Sequence, residues 1–147
     1  MRAGQTVDMT IELIPLCTVR IELSDPLILG ATPVGTRAIA EVGEATFVGD
    51  RLRGRVRSPS ADWVTVSAEL IATVDVRMHL ETHDGAHVYI RYHGRSDFSQ
   101  GIGASPLYIA PLFESGDERY TWLNVIQAVG KGVLDDNAIT YEVCEVR

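Results

Sequence analysis

"DVRMHLETHDGAHVYIRYHG", residues 75–94, spells a β-hairpin in alternating side chains. Val76, Met78 and Leu80 share one face of the first arm. Asp75, Arg77, His79 and Glu81 share the other. Beyond the turn, Val88, Ile90 and Tyr92 alternate with His87, Tyr89, Arg91 and His93. A period of two is the mark of a strand with one buried face. Asp84-Gly85 permits two loop lengths. A two-residue loop sets Met78 opposite Arg91 and mixes the faces. A three-residue loop, His83-Asp84-Gly85 with Gly85 left-handed, sets Met78 opposite Ile90 and keeps both faces pure. Register follows the buried face, so the three-residue loop is expected.

That register puts Arg77 directly opposite Arg91, and like charges so placed are destabilising. Asp75 and Glu81 on the same face are expected to relieve it. Two readings of this face stand side by side. It is solvated, as charge-alternating faces of antiparallel sheets usually are. Alternatively it lines a polar lumen, where Arg77 and Arg91 grip a carboxylate and act as ligand-binding residues. All four histidines of the chain, His79, His83, His87 and His93, fall in this hairpin. One is in the turn and the rest are spread along two arms, so no metal site is expected.

Outward from the hairpin, most segments read as strands. "LCTVRIEL" (16–23), "AIAEV" (38–42), "EATFVGDRLRGRVR" (44–57), "SPLYIAPLF" (105–113) and "AITYEVCEV" (138–146) are apolar and β-branched. "DPLILGATPVGTR" (25–37) reads as loop, punctuated by two prolines and two glycines. "ADWVTVSAELIATVDVRMHLET" (61–82) is too long for one strand and needs a bend near Ala68–Glu69. "DERYTWLNVIQAVG" (117–130) competes as a helix, yet Tyr120, Trp122 and Asn124 alternate with Thr121, Leu123 and Val125. The reading is one helical turn at Asp117–Arg119, then a strand. The fold expected is all-β: a closed or nearly closed antiparallel barrel of about eight to ten strands in one domain, 1–147, with 1–8 a loose extension. Closure removes the exposed edges that so many strands would leave.

A length of 147 residues and a hydrophobic content of 46% suit a single domain with a real core. The net charge of −7 argues against nucleic acid and against an anionic membrane surface as partners. No signal-like or spanning apolar run is visible, so a cytoplasmic protein is expected. Cys17 and Cys144 have no metal-ligand spacing and are expected as reduced, packed thiols, a bridge between first and last strands being the alternative.

Several stretches together resemble one family, the DUF3237 or UPF0311 group of small bacterial and fungal proteins. "GATPVGTR" (30–37), "TFVGDRLRGRV" (46–56), "ADW" (61–63), the 75–94 hairpin and "FESGDERYTWLN" (113–124) match its motifs in order and spacing. Two glycine pairs of its pattern read here as Pro59-Ser60 and Gly43-Glu44. The resemblance implies a small β-barrel that self-associates. It implies no particular activity, since a fold does not supply one.

The residues themselves offer candidates. Asp62 and Trp63 open a strand after a Pro-Ser turn. Asp62 either fastens that turn or serves as a general base at a cavity mouth, its pKa raised beside the indole of Trp63. Tyr120, Trp122 and Asn124 line either a barrel core or a cavity, where Trp122 and Trp63 are ligand-binding walls and Tyr120 or Asn124 polarises an oxygen. Glu114 is expected to pair with Arg119, and Arg37 with an acidic neighbour. No nucleotide fingerprint, nucleophile elbow or cofactor motif is present. The function expected is a small-molecule-binding barrel. As a cofactor-free acid/base enzyme of isomerase, lyase (dehydratase) or cyclase type, it acts on a small aromatic or carbonyl-bearing compound. The alternatives are a non-catalytic carrier and a structural barrel with a filled lumen.

Overall fold

The computed structural model describes Gly4 and residues 6–147. The expected N-terminal extension therefore lies partly outside the described residues. Ten strands follow: β1 Leu13–Leu23, β2 Leu27–Thr32, β3 Gly35–Val48, β4 Gly54–Val66, β5 Ile71–Thr82, β6 His87–Asp97, β7 Leu107–Ile109, β8 Leu112–Glu114, β9 Gln127–Asp135 and β10 Ala138–Val146. A 3-10 helix, Glu118–Val125, precedes β9. The sheet runs β1-β10-β9-β7-β6-β5-β4-β3, and β3 pairs back onto β1. This circuit is a closed eight-stranded antiparallel barrel. Two strands lie outside it: β2 hairpins onto the first half of β3, and β8 pairs with β6.

The hairpin forms in the expected register. Met78 faces Ile90, Leu80 faces Val88 and Arg77 faces Arg91. The Thr82 N–H donates to Ala86 O at 2.8 Å, closing a three-residue loop in which Gly85 has φ 88°. Only a residue without Cβ takes that angle freely. The bend in 61–82 is a turn over Ser67–Leu70, where the Leu70 N–H donates to Ser67 O at 3.0 Å.

Alternation along the strands, with Leu52 from the β3–β4 connection and Leu123 from the 3-10 helix, sets what faces inward. Leu52, Leu80, Val88 and Leu123 are wholly buried, with Ile21, Met78, Ile90 and Tyr141 nearly so. Each such side chain contributes about 1.5–3 kcal/mol through burial. They fill the barrel. The gap left among Val19, Phe47, Met78, Ile90, Tyr92 and Tyr141 is only about 10 Å³, no more than a single water needs.

Several expectations are corrected. The polar face of the hairpin is the outer wall and not a lumen, because the apolar row fills the inside; Arg77 and Arg91 are exposed. Residues 25–37 are not loop: β2 and the start of β3 occupy them, the prolines standing just outside β2 at 26 and 33. β3 runs unbroken through Gly43, with a register shift between Glu41 and Thr46 absorbing the irregularity. "SPLYIAPLF" is two three-residue strands separated at Ala110-Pro111, since proline cannot donate to a ladder. The segment after Arg119 is helical and not a strand. Asp117 caps it, accepting the Arg119 N–H at 3.0 Å and holding the guanidinium at 2.8 Å. A 3-10 helix stacks residues three apart, so Tyr120 and Leu123 turn inward together. The apparent alternation of 120, 122 and 124 belongs to no strand face.

Both thiols are free, Cys17 buried and Cys144 half-buried on adjacent strands. Burial pushes the Cys17 thiol up to about 12. Among the described residues no helix is long and apolar enough to cross a membrane.

Candidate functional site

Asp62 sits in the middle of β4 and not behind a turn. The strand passes through Pro59, shifting register between Arg57 and Ala61. Asp62 stands between Ala40 of β3 and Val76 of β5, and Val76 faces Tyr92 of β6. Ala40, Val76 and Tyr92 are all buried, so this cross-strand row points inward and carries Asp62 with it. Trp63, one residue on, points outward and is 37% exposed. The expected pairing of carboxylate and indole is therefore absent, since neighbours on one strand face opposite ways.

Asp62 is 7% exposed. One of its oxygens accepts the Asp75 N–H at 3.0 Å, a bond to the neighbouring strand rather than to a turn. Among the described residues nothing donates to its other oxygen. Burial pushes its pKa up to about 6, with the Asp75 charge adding and the hydrogen bond opposing. In the same inward row, beyond Val76, stands Tyr92, whose ring packs edge to face on that of Tyr141 with centroids 5.9 Å apart. Burial holds both phenols well above their ordinary range, and the charge of Asp62 adds to this. Both stay neutral donors at any physiological pH. A buried carboxyl with a pKa of about 6 can accept and donate a proton near neutrality, and the two neutral phenols share its interior. Sequence reasoning missed Tyr92 and Tyr141. Their signal was present: each places a polar tip on an otherwise apolar face.

The other expected site residues are elsewhere. From Val76, opposite Asp62, β5 runs about 20 Å to the hairpin turn. There the Tyr120 hydroxyl donates to Asp84 at 2.7 Å. Arg119 holds the same turn through the Asp84 carbonyl at 3.0 Å. Asn124 accepts the Ser115 N–H at 2.8 Å and donates to Ser115 O at 2.9 Å. Trp122 lies under the Arg51 guanidinium, 5.1 Å from its ring centre. Arg51 pairs with Glu145 at 2.9 Å, and a shallow recess of about 520 Å³ opens beside them. The polar groups of Tyr120 and Asn124 are thus engaged in fastening loops. The filled interior separates them from Asp62.

Charged partners also differ from expectation. Arg119 takes Asp117 and Asp84, not Glu114. Arg37 donates to the Trp63 carbonyl at 2.8 Å, not to an acid. Glu81 pairs with Arg57 at 3.3 Å and Asp75 lies 3.8 Å from His93. Neither forms an ion pair with Arg77 or Arg91.

Two of the four histidines do meet. His79 Nε2 lies 2.7 Å from His87 Nδ1 on the outer wall, and His79 Nδ1 is 3.3 Å from the Ser58 carbonyl. A carbonyl only accepts, so His79 Nδ1 carries the proton. In the neutral pair His87 Nδ1–H then donates to His79, leaving the lone pair of His87 Nε2 free. Beside them Pro59, Tyr89, Glu114 and Asn124 line an open groove of about 700 Å³. Among the described residues no group of three or more metal-ligating side chains forms.

Comparison with known proteins agrees with this architecture. A UPF0311 protein of Bradyrhizobium diazoefficiens is 28% identical, the match covering 72% of this chain and 77% of that one. A β-barrel-like protein from Acinetobacter baumannii AYE superposes with a TM-score of 0.86 at 29% identity, over 97% of this chain and all of that one. An enzyme from Penicillium herquei shares the fold, with a TM-score of 0.72 at 18% identity over 97% of this chain and 99% of that one. Residues 11–146 match the protein family of unknown function DUF3237, and the chain belongs to that family.

Proposed function

We propose that this protein binds a small aromatic or carbonyl-bearing molecule and performs cofactor-free acid/base chemistry on it at Asp62. The observation that carries this is the Asp62 carboxyl itself. It is inside the barrel, held near 6, and has one oxygen with no donor among the described residues. Such a group is ionised at neutral pH yet basic enough to take a proton. In the reaction Asp62 removes a proton from a carbon next to a carbonyl, or from a phenol. Tyr92 or Tyr141 donates a hydrogen bond to the oxygen where charge develops. Returning the proton at another atom completes an isomerisation; loss of water or ring closure needs the same two functions.

A second reading has its own observation. The residual gap in the barrel is about 10 Å³, which favours a structural barrel whose lumen is filled by side chains. The two readings part in one experiment. The protein is screened by thermal shift against phenols, aromatic acids and enones, and stabilising compounds are then followed by proton NMR in deuterium oxide. Exchange or conversion at a carbon next to the carbonyl, lost in Asp62→Asn and weakened in Tyr92→Phe, is the expected result. Full turnover by a folded Asp62→Asn variant removes Asp62 from the chemistry. A panel without a single stabilising compound moves the weight to the structural barrel.

A further inference from the structure

Two features of this chain lack what the other would supply. The first is an N-terminal arm. Val7, Met9, Ile11 and Leu13 alternate with Asp8, Thr10 and Glu12, the period-two pattern of a half-buried strand. Yet the four apolar side chains are exposed, Met9 to 89%. From Thr6 to Ile11 no backbone pair forms among the described residues; Glu12, which exchanges hydrogen bonds with Arg147 at 2.6 and 2.9 Å, is the first to find one. The second feature is a free sheet edge. β2 pairs with β3 alone, so one side of its six residues presents unpaired backbone groups. Leu27, Ile28 and Leu29 on it are all exposed. Leu27 continues an outward row across three strands, Leu27–Ile39–Trp63, in which Leu27 and Trp63 are exposed and Ile39 half-buried. The edge is short and shifts register between Ile28 and Gly30, but its apolar side chains and free backbone still offer a place for another strand.

The arm does not reach its own edge. It leaves β1 at Leu13, whereas β2 begins four residues beyond the far end, Leu23. The eleven residues of β1 span about 36 Å, while Val7, six residues before Leu13, is at most about 20 Å away from it. We propose that the arm around Val7–Leu13 of one copy adds as a strand to the β2 edge of a second copy. The added strand satisfies the backbone of both. Its apolar face extends the Leu27–Ile39–Trp63 row, with main-chain bonds giving affinity and alternate side chains giving register. Because each copy carries both halves, two copies can exchange arms about a twofold axis.

The test is sedimentation of the full chain between about 1 and 100 µM, the range where a moderate contact is populated. Two double variants accompany it: Met9→Asp with Ile11→Asp on the arm, and Leu27→Asp with Leu29→Asp on the edge. All four positions are exposed, and circular dichroism verifies that the barrel persists. Wild type is expected to associate, and each variant to do so at least tenfold more weakly. Mixing the two variants is expected to restore association at concentrations where neither associates alone, because an intact arm then meets an intact edge. A wild type that stays monomeric to about 100 µM overturns the proposal and leaves the edge to a different protein. Unchanged association of either variant, or a mixture no better than its components, overturns it as well.

Discussion

The Asp75 N–H donates to the Asp62 carboxylate at 3.0 Å, yet Asp62 is held above its ordinary pKa. One hydrogen bond from the next strand does not offset the loss of water around a buried charge.

That balance sets a pH dependence. The Asp62 pKa rises from 3.8 to about 6 on folding. Between those values the folded chain binds more protons than the unfolded one, so unfolding free energy falls as pH rises. Stability from this group is full below about pH 4 and gone above about pH 6, a fall of at most about 3 kcal/mol. Asp62→Asn keeps an acceptor for the Asp75 N–H and cannot ionise. Urea titrations from pH 4 to 7.5 should show the variant gaining on wild type as pH rises. Asp117 and Asp84 act the other way. Their carboxyls are held low, Asp117 at about 2 by Arg119 and Asp84 first by Thr82. Their stabilisation is lost only as pH falls below about 4, outside the window of Asp62. Equal curves for wild type and Asp62→Asn would contradict the raised pKa.

Asn124 predicts a stability effect in place of a catalytic one. Both ends of its amide are used on one backbone residue, Ser115, and the Ser115 hydroxyl in turn donates to His87 O at 2.8 Å. Asn124→Ala strands a backbone donor and acceptor and should cost about 1–3 kcal/mol. Asn124→Asp keeps the acceptor but turns a charge toward the Ser115 carbonyl, and should recover little of that. Chemical unfolding measures both. An unchanged midpoint in either variant would release Asn124 for another role.

Gly132 lies under the ring of Tyr141. A Cβ there would overlap Tyr141 Cδ1 and Cε1. Gly132→Ala must therefore displace Tyr141, and overpacking of this kind costs about 1–3 kcal/mol. The thermal midpoint should drop. The tyrosine near-ultraviolet circular dichroism should change as well, because Tyr141 loses its fixed place against Tyr92. A variant with both signals unaltered would mean that the barrel yields there at no cost.

The barrel was legible where the buried face dictated the answer. The 75–94 hairpin, its loop length and its register follow from the need to keep Met78 with Ile90, and β10 follows from the apolar, β-branched run 138–146. The site was not legible for two reasons. Alternation shows which side chains share a face but not whether the polar or the apolar face closes inward at a given end, so Asp62 and Trp63 were assigned to one place when adjacent residues must diverge. And Tyr120, Trp122 and Asn124 imitate a strand because a 3-10 helix of eight residues is too short to establish a period of its own; the capping by Asp117, which settles it, resembles any other turn. Tyr92 and Tyr141 each carry a polar tip on an apolar face, but that they share the interior with Asp62 follows only from how the strands pair.

The outer wall carries the last prediction. Arg77 and Arg91 face each other across β5 and β6, and neither has an ion pair among the described residues, since Glu81 and Asp75 are engaged with Arg57 and His93. Directly opposed like charges destabilise a sheet, and opposed unlike charges contribute about 0.2–1 kcal/mol. Arg77→Glu converts one into the other without touching the core. It should raise stability by up to about 1 kcal/mol at low ionic strength, and the gain should shrink in about 0.5 M salt as screening shortens. An anion held between the two arginines in solution would reverse the order. Phosphate or a small carboxylate would then stabilise wild type and leave Arg77→Glu unmoved, and the substitution would cost stability in that buffer. Thermal melts of the pair in chloride and in phosphate at matched ionic strength separate a solvated, merely repulsive pair from one that holds an anion.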